Sequence, residues 1–173
     1  MLNKIKTTAN KITTDEINIQ EREIISDYDM VIFCHLRWQF VYQRPQHLIS
    51  RMSKNMKILL IEEPINYNPE EGSTADLMVI NDNLHVLQPK VRDIESIAEI
   101  LPHYIKSKTV SIGWFYSASF TPLLSALKFD VVIYDCMDEL SLFKGAPKYL
   151  ISQEKYLMSH ADIVFTGGKS LYE

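Results

Sequence analysis

Phe129-Asp130-Val131-Val132-Ile133-Tyr134-Asp135-Cys136-Met137-Asp138-Glu139-Leu140-Ser141 is a β-branched and aromatic run that ends abruptly in carboxylates. A continuous Val/Ile run of this kind reads as a parallel strand buried on both faces. In open α/β sheets ligands gather just beyond the carboxyl ends of such strands. Asp135, Asp138 and Glu139 thus fall where binding or chemistry is expected. The same acids would also suit the N-terminus of a following helix, whose dipole favours negative charge.

Working outward, 109–115 reads as a central strand, 120–127 as a short helix, 149–160 as a helix and 162–166 as a last strand opening into Gly167-Gly168-Lys169-Ser170. Towards the N-terminus, 28–34 and 57–62 are buried-strand patterns, separated by a helix over 44–53 with Pro45 in its first turn. Residues 77–80 and 84–87 form a hairpin around Asn81-Asp82-Asn83, with its antiparallel strand at the sheet edge. Ile94, Ile97, Ala98, Leu101 and Ile105 recur at helical spacing and predict a helix over 93–106 that Pro102 kinks or ends. Strands alternating with helices predict an α/β fold: a single doubly wound, mainly parallel Rossmann-like sheet with an antiparallel edge hairpin and right-handed crossovers. Residues 1–27, rich in Thr, Lys and Glu, read as a leader that is partly helical or disordered, and 28–173 as the domain.

A length of 173 residues fits one domain with a real core. A net charge of −4 offers no overall basic field, which argues against nucleic acid as a partner. Cys34 and Cys136 each end an apolar run, with neither zinc-site spacing nor the density of a disulfide scaffold, and read as buried thiols in a reducing cytoplasm. No apolar run approaches the ~18 residues that span a bilayer, and the N-terminus lacks a signal-peptide apolar region. Peripheral association with the inner face of the cell membrane stays open, with Lys4, Lys6 and Lys11 in the leader.

After the first strand a dinucleotide-binding domain would carry G-x-G-x-x-G, whereas Cys34-His35-Leu36-Arg37-Trp38-Gln39-Phe40 has no glycine. A Rossmann dehydrogenase is disfavoured. Gly167-Gly168-Lys169-Ser170 keeps only the end of a phosphate loop and reads as a tight strand-to-helix turn whose amides could receive an anion. The first loop gathers His35, Arg37, Trp38 and Arg44, a set suited to a polyhydroxylated or phosphorylated ligand. Aromatic faces cover the apolar side of a sugar, and guanidinium forks hold phosphate or carboxylate. Glu63, Trp114 and Tyr116 end other strands on the same rim. Asp135 and Asp138 have D-x-x-D spacing without supporting ligands, so no metal is expected, and either could take a proton from an acceptor hydroxyl.

Taken in order, His35-Leu36-Arg37-Trp38, Tyr42-Gln43-Arg44-Pro45-Gln46-His47-Leu48, Glu62-Glu63-Pro64, Tyr134 to Ser141 with Phe143-Lys144-Gly145-Ala146-Pro147, and Ala161 to Gly168 resemble a known group. The chain is similar over about 28–173 to the N-terminal half of bacterial GT-B glycosyltransferases, in the cell-surface polysaccharide branch that includes teichuronic-acid-type transferases. The resemblance implies two Rossmann-like domains facing a cleft. The N-terminal one would hold a glycan or glycolipid acceptor, and the C-terminal one, with no counterpart in this sequence, the nucleotide-sugar donor. A chain with only the first domain is expected to be inactive alone and to need no cofactor. Asp138 or Asp135 would be the base, with His35, Arg37, Trp38, Arg44, Glu63, Trp114, Tyr116, Gly167 and Gly168 holding acceptor or phosphate groups. The rival reading is a non-catalytic α/β ligand- or protein-binding module; the long aromatic first loop fits flavodoxin- or receiver-like domains poorly.

Overall fold

The unbroken apolar runs become the middle of the sheet. Met30–Cys34 (β1) and Ile58–Glu62 (β2) are buried at every position, as parallel strands covered on both faces require. The computed structural model of the chain describes residues 25–137 and 149–167. Five further strands complete one sheet: Thr74–Asn81 (β3), Leu84–Lys90 (β4), Thr109–Phe115 (β5), Lys128–Cys136 (β6) and Ile163–Thr166 (β7).

The strand order is β3-β4-β2-β1-β5-β6-β7, and every neighbouring pair is parallel except β3 with β4. Numbered without the antiparallel edge strand, this is the nucleotide-binding order 3-2-1-4-5-6, in which the chain reverses its direction of travel beside the first strand. The switch point falls between β1 and β5. The expected doubly wound, mainly parallel sheet with an antiparallel edge hairpin is what the chain adopts, although its first loop lacks the glycines that usually accompany this order. Among the described residues no helix is long and apolar enough to cross a membrane.

Alternation along the strands sends neighbouring side chains to opposite faces. Ile32, Leu60 and Ile133 pack on one face with Ile49 from the helix Arg44–Met52 (α1). Phe33, Leu59 and Phe115 pack on the other with Ile97 of the one-turn helix Ile97–Ile100 (α2), Phe120 of the 3₁₀ segment Ala118–Ser125, and Leu157 of Tyr149–His160 (α3). Phe33 stacks on Phe115 with centroids 4.6 Å apart, and Phe129 meets both rings edge-on. Gly113 makes room for Phe129, because a Cβ there would lie 2.7 Å from its ring.

Three local expectations change. The helix expected over 93–106 is only α2 followed by the 3₁₀ turn Leu101–His103. Pro102 has no N–H to continue the ladder and its ring excludes the carbonyl four residues back. Ile97, Ile100, Leu101 and Ile105 are nonetheless buried, so the helical spacing reported burial rather than a long helix. The helix expected over 120–127 is the 3₁₀ segment, opened by Ser117 accepting from the Ser119 N–H and carrying Pro122 within it. The end of the expected leader is part of the fold, since Ser26 forms a parallel bridge with Ile105. The remainder of the leader, 1–24, lies outside the described residues.

Candidate functional site

The loop between β1 and α1 is held by one buried carboxylate. Glu62 is fully buried at the end of β2 and accepts from the Trp38 backbone N–H at 2.6 Å, Arg37 Nη1 at 3.1 Å and Gln88 Nε2 at 2.9 Å. Arg37 also donates to the Glu63 carbonyl at 2.6 Å. Gln46, buried in the first turn of α1, closes the loop from its other end. Its Nε2 donates to the Arg37 carbonyl and its Oε1 accepts from the Gln43 N–H. Three donors on a desolvated carboxylate form a stiff anchor, since charge-assisted hydrogen bonds are the strong ones. Arg37 and Trp38 thus act as loop scaffold.

Strand alternation divides the chemistry-bearing residues at the carboxyl edge into two sets. His35, Glu63 and Ser117 fall on the α3 side, and Cys34, Glu62, Tyr116 and Asp135 on the α1 side. On the α3 side the strand ends open into a cavity of about 570 Å³, within the usual range for small-molecule sites. It is lined by His35, Glu63, Arg92, Asp93, Ser117 and Ser119, with Pro64, Ile94 and Leu150 giving apolar wall. Ser119 Oγ donates to Glu63 Oε1 at 3.3 Å, and Asp93 is fixed by the Ser96 N–H and hydroxyl at 2.9 and 2.6 Å and by Arg92 Nε at 3.0 Å. Burial raises the Glu63 pKa above the ordinary value, with the Ser119 hydroxyl and Arg37 pulling the other way. Glu63 is thus a carboxylate with heightened proton affinity opening into a cavity.

On the α1 side, Asp135 is fully buried and Arg44 Nη2 stands 3.0 Å from its Oδ1. The contact is an ion pair without hydrogen-bond alignment, and neither Asp135 oxygen has a hydrogen-bond partner among the described residues. Burial raises the Asp135 pKa while Arg44 opposes the shift. Tyr116 is buried close by, its hydroxyl pKa raised by burial and then by the Asp135 charge. Trp114 stacks on Phe165 of β7 with centroids 5.7 Å apart. Burial pushes the Cys34 thiol up to about 12, with Glu62, Glu63 and Asp135 adding to the rise, so it stays a thiol at neutral pH. Cys34 and Cys136 are both buried and not joined in a disulfide, as their positions at the ends of apolar runs suggested.

The residues singled out in the sequence consequently do not form one cluster. His35 and Glu63 line the cavity; Arg37 and Trp38 brace the first loop; Arg44, Trp114, Tyr116 and Asp135 belong to the opposite face. Gly167 abuts Met137, where a Cβ would collide with the Met137 carbonyl, and its N–H donates to the Cys136 carbonyl at 2.8 Å. Asp138 and Gly168 lie outside the described residues. Sequence reasoning missed Arg92, Asp93, Ser117 and Ser119. Their signal was positional: they follow β4 and β5 at the carboxyl edge, but small polar residues in loops carry no pattern of their own. Among the described residues no three His, Cys, Asp or Glu side chains are placed to hold a metal ion.

The class defined by this geometry is a Rossmann-like α/β domain with a polar cavity beside its switch point. No protein-family model, curated protein or solved structure matches the chain.

Proposed function

We propose that this chain is the acceptor-side domain of a GT-B glycosyltransferase that transfers a sugar from a nucleotide-sugar donor to a cell-surface polysaccharide or glycolipid acceptor. The observation that carries the reading is the cavity at the carboxyl ends of β1, β2 and β5, where Glu63 is paired with a hydroxyl and surrounded by further hydroxyl, carboxylate and guanidinium groups. A sugar hydroxyl both donates and accepts, so such a lining can satisfy several hydroxyls while Ile94, Pro64 and Leu150 face the C–H surface. A first loop without glycines supports assigning the donor's diphosphate to a second domain.

In the reaction the acceptor oxygen bonds the anomeric carbon, the bond from that carbon to the diphosphate oxygen breaks, and the acceptor proton must leave. Glu63 is the better-supported proton acceptor, because it opens into the cavity with raised proton affinity whereas Asp135 is sealed beneath Arg44. Asp138 keeps its place as a competing candidate. The enzyme would work in the cytoplasm, with this domain alone giving no turnover.

The test is calorimetric binding of acceptor-type oligosaccharides and of nucleotide sugars to the chain and to its Glu63→Gln and Ser119→Ala variants. Oligosaccharide binding that both substitutions weaken, with nucleotide sugars bound poorly, supports the reading. Binding of neither class, or nucleotide-sugar binding insensitive to both substitutions, overturns it in favour of a non-catalytic module.

A further inference from the structure

Residues 37–57 contain Arg37, Arg44, Arg51, Lys54 and Lys57 and no Asp or Glu, in a chain that is acidic overall. The fold concentrates part of this charge. Pro45, Gln46 and Ile49 bury one side of α1, which leaves Arg44, His47, Arg51 and then Lys54 exposed at successive spacings of three, four and three residues. That is a single stripe along the outer face. Arg51 and Lys54 make no ion pair among the described residues.

Beside the stripe lies an apolar tip. Phe40, Val41 and Tyr42 are 70%, 57% and 56% exposed. The loop that carries them is not loose, because Glu62 and Gln46 clamp both of its ends. Tyr42 is laid along α1, its ring edge-on to His47 at 4.5 Å and its hydroxyl donating to Ser50 Oγ at 3.0 Å. Aromatic and aliphatic side chains held in water beside the exposed cations Arg51 and Lys54 match two features of one partner: an apolar interior reached through a layer of phosphate.

We propose that the β1–α1 loop tip and the outer stripe of α1 form a docking surface for a bilayer rich in anionic phospholipid. Phe40 and Val41 enter the interfacial layer, Tyr42 sits at headgroup depth, and Arg51 and Lys54 pair with lipid phosphates. Three apolar side chains give weak, reversible attachment, so binding depends on the charge of the membrane. The surface lies on the α1 side of the sheet and does not overlap the cavity on the α3 side, so the inference is independent of the function proposed for that cavity.

The experiment is co-sedimentation of the whole chain with phosphatidylcholine vesicles, with and without phosphatidylglycerol, at low and high salt. The expected result is binding only to the anionic vesicles, lost at high salt. Each exposed cation near an anionic membrane contributes about fivefold in binding, so Arg51→Gln with Lys54→Gln should lower partitioning roughly 25-fold. Phe40→Ser should weaken it without changing its salt dependence. Because both native thiols are buried, Val41→Cys can be labelled selectively with a polarity-sensitive dye, whose emission should shift to the blue on anionic vesicles. Circular dichroism of each variant verifies folding. Equal binding to neutral and anionic vesicles, no binding to either, an unresponsive dye, or tighter binding to a single-stranded oligonucleotide than to anionic vesicles overturns the proposal.

Discussion

Arg44 Nη2 stands 3.0 Å from Asp135 Oδ1, joining the first turn of α1 to the end of β6, two strands away from β1 in the sheet. The carboxylate is fully buried and the guanidinium less than half exposed. This one contact ties the aromatic loop, which enters α1 at Arg44, to the far side of the switch point.

Removing the cation should hurt more than removing both charges. Arg44→Met leaves a buried carboxylate without its counter-ion and should destabilise the chain by about 1–3 kcal/mol at neutral pH, less than for a fully buried pair because the arginine is partly solvated. Since the folded Asp135 pKa is raised, the loss should shrink on acidification towards the ordinary aspartate value of 3.8. Adding Asp135→Asn to Arg44→Met should recover most of the stability. Urea unfolding of the two single variants and the double variant measures the coupling, and strictly additive losses would show that the pair is inert.

Glu62 is predicted to matter for loop order rather than for ligand chemistry. Glu62→Ala strands the Trp38 N–H, Arg37 and Gln88 without their shared acceptor and should cost roughly 3 kcal/mol. Cleavage by trypsin after Arg37 should accelerate before global unfolding does. Unchanged proteolysis after Arg37 would contradict the anchoring role.

Glu63 gives a pH signature of defined sign. Its folded pKa is raised above the ordinary glutamate value of 4.5 by burial, so the folded state binds more proton than the unfolded state between those two values. Stability contributed by the protonated form is complete below 4.5 and is lost as pH rises through the folded pKa. Glu63→Gln should therefore flatten the fall in urea midpoint from mildly acidic to neutral pH, and should match or exceed the parent at pH 7. A variant whose midpoints track the parent across that range would place the titration elsewhere.

Gly113→Ala probes the packing of the α3 face. Its Cβ would lie 2.7 Å from Phe129 Cδ1, and the ring is hemmed in by Phe33 and Phe115. Overpacking of this kind costs about 1–3 kcal/mol. Combining it with Phe129→Leu should give a total loss smaller than the sum of the two single losses, read from thermal or urea unfolding.

Much of the fold was legible because burial leaves a local trace. Val31-Ile32-Phe33 and Leu59-Leu60-Ile61 are apolar at consecutive positions because both faces of their strands are covered, and α3 is observed over 149–160 as expected. The trace misled where apolar spacing and backbone conformation parted company. Ile97, Leu101 and Ile105 keep helical spacing and are buried, yet Pro102 ends the hydrogen-bond ladder.

By itself the sequence determined that this chain forms a mainly parallel sheet with an edge hairpin, buried thiols and a rim of acids, since those follow from residue types and periods along the chain. Only the tertiary structure decided what Glu62, Glu63 and Asp135 do. Glu62 and Glu63 are adjacent and chemically almost identical, but alternation at the end of β2 turns one into a triply bonded anchor and the other into a cavity. Asp135 looked equally available, and is sealed against Arg44 from a helix that follows a different strand. Carboxylate reactivity depends on desolvation and on the nearest opposite charge, and both are set by residues distant in sequence.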